Sequence, residues 1–200
     1  MRKLALAVMF ASIVGFILVS VLVGLPAAAK ANLIQNGSFA VGGSPSLADW
    51  TKLVSGSGSV TAVGQPTPAL SGGGPAAALF EGPSATLNLY QNVSDTAGVQ
   101  YQVNFWVLDQ ATGTKGTMLA GGNTIYFGSS DPYYNVWHEY TYNFTGSGSD
   151  TVLFAVGDTG TSGKVYLDMV GTDPVPEPAT ILLVGVGLLG LAILGRKLHS

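Results

Sequence analysis

Hydrophobic and polar positions alternate through the middle of the chain. Residues 87–93 (Leu-Asn-Leu-Tyr-Gln-Asn-Val) alternate apolar and polar side chains apart from Gln91, and residues 101–107, 137–144, 151–156 and 164–170 alternate in the same way. A period of two is that of a strand with one buried face. Three shorter runs, 59–63, 76–80 and 124–127, read alike, and turn-forming residues separate all of them. About eight short strands without helical periodicity predict an all-β domain over residues 32–173, a single β-sandwich or jelly roll. Residues 55–75 are mostly Gly, Ser, Pro and Thr, and read as long loops around one edge strand. Residues 172–175 read as a short linker.

The alternation also assigns faces. Leu87, Leu89, Tyr101, Val103, Phe105, Val107, Tyr140, Tyr142, Phe144, Val152, Phe154, Val156, Val165, Leu167 and Met169 fall on the core side. Asn88, Tyr90, Asn92, Gln102, Asn104, Trp106, Trp137, Glu139, Thr141 and Asn143 fall on the other. Amides beside large aromatics suit a sugar. A ring stacks on the C–H side of a pyranose, amides bond its hydroxyls, and apolar cover with a few placed polar groups is how small-ligand sites are built. Tyr90, Gln102, Asn104, Trp106 and Trp137 are therefore candidate carbohydrate-binding residues. The plainer reading is a solvated face with its aromatics packed under loops, and both stand.

The two ends break the alternation. Residues 1–31 read as a secretory signal: Arg2 and Lys3, an apolar stretch over 4–25, then small residues with Ala29-Lys30-Ala31 before Asn32. That apolar stretch is long for a cleaved signal, so an uncleaved signal anchor is the alternative. Residues 174–200 form a second targeting segment. Pro176 and Pro178 push Val175 and Glu177 out of the α region, which makes the segment extended. An uncharged run follows over about 179–195, predicted to be a transmembrane helix. Counted from Pro178, such a helix is about 27 Å long, close to a hydrocarbon core of about 30 Å. Arg196 and Lys197 then mark the cytoplasmic end. On length and charge alone, a plain membrane anchor suffices.

Charge sharpens this picture. The chain has 8 basic and 11 acidic residues, a net of −3. Within 32–173 only Lys52, Lys115 and Lys164 stand against ten acidic residues, a net of −7. An acidic domain without a basic patch argues against nucleic acid. The chain has no cysteine, so disulfides, thiol nucleophiles and Cys-based metal sites are excluded. Asn36, Asn92 and Asn143 head sequons that matter only where a glycosylating machinery exists.

Two resemblances add to the residue-level reading. Val175-Pro-Glu-Pro-Ala-Thr, a Leu/Gly-rich span and the basic pair Arg196-Lys197 resemble the PEP-CTERM sorting signal. The resemblance implies Val175, Pro176, Glu177, Pro178, Arg196 and Lys197 as the sorting motif, and an exosortase as the enzyme that reads it. That enzyme is thought to cut near the Pro-Glu-Pro segment. It also implies use of the general export machinery and signal peptidase. The route is an inner-membrane-anchored precursor with a periplasmic domain, then the cell surface or the extracellular space. Leu198, His199 and Ser200 follow the basic pair, where the family usually ends in a denser basic run. Second, Asn32-Leu-Ile-Gln-Asn-Gly-Ser-Phe39, Asp49-Trp50 and the closing Tyr166-Leu-Asp-Met-Val170 are similar to the framing motifs of galactose-binding-like jelly rolls, the fold of several carbohydrate-binding modules. Many of these hold a structural calcium. Asp168 is the side-chain ligand this resemblance implies, although Ala40 and Met169 replace other oxygen-bearing positions.

Catalytic chemistry is thin. His138 is the one histidine of the predicted domain, and no G-x-S-x-G or phosphate loop occurs. A glycosidase needs two carboxylates facing one sugar, and nothing in the spacing selects a pair. The expectation is an exported surface or matrix protein, not an enzyme, with a structural or adhesive role linked to exopolysaccharide or biofilm. The alternative is a dedicated carbohydrate-binding module. A glycan-active enzyme is the reading with least in its favour.

Overall fold

The computed structural model describes residues 32–83, 85–111, 115–128, 133–157, 159, 163–175 and 185. The predicted signal (1–31) and nearly all of the predicted tail helix (179–195), with Arg196 and Lys197, lie outside the described residues. Among the described residues no helix is long and apolar enough to cross a membrane.

Twelve strands are described. β1 (Ala40–Val41) and β2 (Ser44–Pro45) make a small hairpin. They are followed by β3 (Thr51–Ser55), β4 (Ser59–Gly64), β5 (Ala76–Glu81), β6 (Thr86–Val93), β7 (Gln100–Asp109) and β8 (Lys115–Ala120). β9 (Asn123–Gly128), β10 (Trp137–Thr145), β11 (Asp150–Val156) and β12 (Lys164–Pro174) complete the set. They form two five-stranded sheets, β10-β7-β12-β5-β4 and β3-β6-β11-β8-β9, and every pairing is antiparallel. The eight runs read from the alternation are all strands, and β4 is an edge strand as expected.

The core lies between the sheets. Leu87 and Leu89 of β6, Val103 and Phe105 of β7, and Val152 and Phe154 of β11 are fully buried. Phe105 meets Phe154 edge-on at 5.0 Å between ring centres, a geometry aromatic pairs favour. Two of the framing motifs help build this core. Trp50 packs between Phe39 (5.3 Å) and Phe154 (6.2 Å), and its indole N–H donates to the carbonyl of Asn36 at 3.0 Å. Opening and closing motifs also meet: Leu33 N donates to Thr172 O (2.9 Å), Val170 N to Gly37 O (2.9 Å), and Thr172 N to Asn32 Oδ1 (2.9 Å).

Two expectations are corrected at β12. Met169 is not in the core; it is 42% exposed. The register of β12 on β7 shifts between Asp168 and Gly171, and Met169 takes a φ of 50° there. A bulge adds a residue to one strand and so swaps the faces beyond it. Val170 is buried in its place. Second, residues 172–174 are strand rather than linker: Thr172 pairs with Val103, Asp173 with Gln102 and Pro174 with Tyr101. Val175 N still donates to Gln100 O at 2.8 Å.

Candidate functional site

The outward face of the sheet β10-β7-β12-β5-β4 can be built from its registers. Trp106 of β7 is flanked by Glu139 of β10 and Asp168 of β12. The neighbouring row is Trp137, Leu108, Tyr166, Leu79 and Thr61 across all five strands. On the other side of Trp106, Asn104 pairs with Thr141, and Gln102 pairs with Asn143. Gln102 Nε2 donates to Asn143 Oδ1 at 3.1 Å.

Much of this face is covered. Ala77, Leu79, Leu108 and Tyr166 form a second buried apolar cluster, with Val63 and Trp137 against it. A strap, residues 65–75, leaves β4 at one edge of the sheet and reaches β10 at the other. Gln65 Nε2 donates to Asp168 Oδ2 at 2.6 Å, Gln110 Nε2 to Thr67 O at 2.9 Å, and the indole N–H of Trp137 to Pro68 O at 2.8 Å. Leu70 is the buried apolar residue of the strap. The sequence reading took this stretch as loop. The one signal available was a leucine among Gly, Ser, Pro and Thr.

The candidate residues therefore separate. Trp106, Asn104 and Gln102 share one face, all half-buried, outside the strapped row. Trp137 shares that face, but its N–H is committed to the strap. Tyr90 does not join them. It lies on β6 of the other sheet, paired with Thr51 and Leu153, on the far side of the sandwich. Alternation separates inward from outward positions, but it does not say to which sheet an outward residue belongs.

Asp168 is completely buried, under the strap. Burial pushes its carboxyl up to about 6, against the pull of hydrogen bonds from Met169 N, Gln65 and Gly74 N. Met169 N lies 2.7 Å from Oδ1. A calcium ion asks for six to eight oxygen ligands. The groups facing Asp168 are N–H donors, so this surrounding does not fit a cation at the carboxylate. Among the described residues no group of three or more His, Asp or Glu side chains could hold a metal. His138 stacks on Tyr133 at 3.7 Å and meets Tyr140 edge-on at 4.7 Å.

Elsewhere, among the described residues, there are open polar clefts. One of about 460 Å³ is lined by Asn32, Gln35, Asp49, Gln91 and Asn92 among others. Gln91 is buried there and clamps the opening segment, bonding Gln35 N, Gln35 O and Asp49 O. Another, of about 440 Å³, lies by Glu81 and Lys164. Neither is lined by an aromatic ring.

The family model of the PEP-CTERM protein-sorting motif matches residues 174–197. No curated protein matches the chain. Among solved structures, TmCBM61 in complex with β-1,4-galactotriose is similar, with a TM-score of 0.56 and 22% identity, covering 73% of this chain and 100% of that one. The enzymatically active domain of tailspike protein 4 from bacteriophage CBA120 gives a TM-score of 0.54 and 20% identity. That match covers 72% of this chain but only 21% of the tailspike chain. The Stig cyclase Fisc from Fischerella sp. TAU gives 0.53 and 12% identity, over 74% of this chain and 99% of that one. At these identities the likeness is one of fold. The chain thus joins a PEP-CTERM sorting motif to a β-sandwich of the fold seen in a carbohydrate-binding module.

Proposed function

We propose that this is an exported envelope protein, sorted and cleaved at its C-terminal motif by an exosortase. The sandwich then serves a structural or adhesive role at the cell surface or in the extracellular matrix, through contact with exopolysaccharide. The sorting motif at 174–197 carries the reading. The acidic net charge of the domain is consistent with it, because it offers little to nucleic acid or to anionic lipid. The contact surface we assign is the open part of the outward face: Trp106 for stacking, with Gln102 and Asn104 beside it for hydroxyls. No reaction is assigned to the domain. Asp168, the carboxylate nearest Trp106 on β12, is buried beneath the strap.

A second reading keeps the same face and makes the chain a dedicated carbohydrate-binding module. The fold shared with TmCBM61 favours it. One experiment separates the two. The protein is recovered from envelope and medium fractions of its host, weighed intact, and titrated with polysaccharides beside its Trp106→Ala variant. Loss of residues 1–31 and of the segment beyond the Pro-Glu-Pro motif supports sorting. Retention of the tail at the inner membrane overturns it. Tight binding to one defined glycan, lost in Trp106→Ala, selects the dedicated module. Weak binding to the host's own exopolysaccharide alone selects the matrix role.

A further inference from the structure

The outward face of the second sheet, β3-β6-β11-β8-β9, lies on the opposite side of the sandwich from Trp106. One row of side chains crosses all five strands: Leu53, Asn88, Ala155, Thr117 and Tyr126. The next row is Thr51, Tyr90, Leu153, Leu119 and Thr124. An antiparallel sheet with one face in water normally turns polar residues outward. Here leucines and tyrosines stand among the polar ones. On the first sheet the apolar row is buried under the strap. On the second, no residue of these two rows is buried, and none belongs to a buried cluster. Tyr126 is 77% exposed and Leu53 55%. Contiguous exposed apolar area of this kind marks an interaction site. The rows lead into the cleft of about 460 Å³. Of the residues that line it, Asn92 lies two positions beyond Tyr90 on β6, and Asp49 two positions before Thr51. Thr151 Oγ1 donates to Asn92 Oδ1 at 2.8 Å, which fixes that amide at the edge of the cleft.

We propose that this face, from the cleft at Asn92 across Tyr90 to Tyr126, is a second polysaccharide-contact surface, and that one sandwich therefore bridges two polymer strands. Size, charge and chemistry select the occupant. Five strands at about 4.8 Å and two rows at about 7 Å give an area of roughly 300 Å². A second copy of the chain would need about 800 Å² on each side for a stable interface. The ten positions carry no charge, and the cleft adds only the carboxylate of Asp49. Phosphate and carboxylate groups of an anionic polymer or a lipid find no counter-charge on these rows. What remains is apolar area broken by amides and hydroxyls, a mixture that suits a neutral ligand rich in hydroxyls. Tyr90 and Tyr126 stand three strands and one row apart, about 16 Å. A polymer spans that distance and a single sugar does not. Because the Trp106 face looks out from the other side, the two surfaces hold separate strands. Two sites on one rigid body raise avidity without any further contact.

This rests on the carbohydrate-binding reading, and the test keeps the two apart. The protein as processed by its host is mixed with β-1,4-galactan, xylan and the host's own exopolysaccharide. Binding is read by affinity electrophoresis and bridging by light scattering of the polymer. Wild type is compared with Trp106→Ala, Tyr126→Ala and the double variant. Tyr126 is exposed, so Tyr126→Ala should melt as wild type does. Wild type is expected to be retarded and to cross-link polymer. Tyr126→Ala should still be retarded, through the Trp106 face, while the scattering it causes falls about tenfold. The double variant should lose retardation. Scattering that Tyr126→Ala leaves unchanged overturns the second surface. So does retardation abolished by Trp106→Ala in a protein that still melts cooperatively. Both results leave the Trp106 face standing. Retardation of wild type without a rise in scattering overturns the bridge. Retardation lost in Tyr126→Ala and kept in Trp106→Ala upholds this surface but overturns the Trp106 face, and the bridge with it. No retardation of wild type by any of the three polymers overturns both surfaces.

Discussion

Single residues decide several properties of this domain. Asp168 is the clearest. Its carboxyl titrates near 6 when folded, against an ordinary value of 3.8, because burial disfavours the charge. The proton is bound more tightly in the folded state. The stabilisation is therefore fully present below about pH 3.8 and is lost as pH rises through about 6. Urea midpoints measured from pH 4 to 7 should fall with rising pH, and Asp168→Asn should flatten the slope between 4 and 6. Gly37 is a second case. A Cβ built there falls onto the carbonyl oxygen of Val170, in the hydrogen-bonded junction of the opening and closing motifs. Gly37→Ala should cost about 2 kcal/mol or more, read as a lower melting temperature. Gly37 stood inside the opening framing motif, but nothing there said why a glycine is needed. That it lies against β12, some 130 residues on, was not legible, because sequence proximity says nothing about which ends meet.

Whole elements show where the reading from alternation holds and where it stops. β6, β7, β10 and β11 are strands with one buried face, and their period of two announced them. β3 was not legible: all five of its residues are exposed, so no apolar side was there to be counted. β8 was missed as well. It contains Gly116, over which the ring of Phe127 from β9 packs in place of a side chain. The strap is the element that most changes the candidate site. It covers Leu108, Tyr166 and Asp168 and leaves Trp106, beside Asp168, half-buried, a choice that no local pattern records. Trp137→Phe keeps the ring and removes the bond to Pro68 O. It should lower stability by about 1 kcal/mol and speed hydrogen exchange at Gly73 N, which bonds Leu70 O within the strap, while leaving polysaccharide affinity within twofold. A large loss of affinity instead would return Trp137 to the binding surface.

For the molecule as a whole, the way β12 ends matters most. Its ladder with β7 runs to Pro174, Val175 adds one more bond, and the next residue is Pro176 of the sorting motif. The recognition segment has no tether. Where a sorting signal hangs on a flexible spacer, the folded domain is a passenger and its shape is indifferent to the enzyme. Here no spacer residue separates the last ladder bond from Pro176, so processing near the motif is expected to be slowed by the sandwich until Val175 peels from Gln100. Six Gly/Ser residues inserted after Val175 give about 13 Å of slack, and pulse-chase should then show faster loss of the precursor. Equal rates would mean that the last pairing opens on its own before the enzyme arrives. Faster loss would make the fold a clock on export: the steadier its last strand, the longer the precursor would dwell at the membrane, and residence there could be tuned through a few hydrogen bonds without touching the motif.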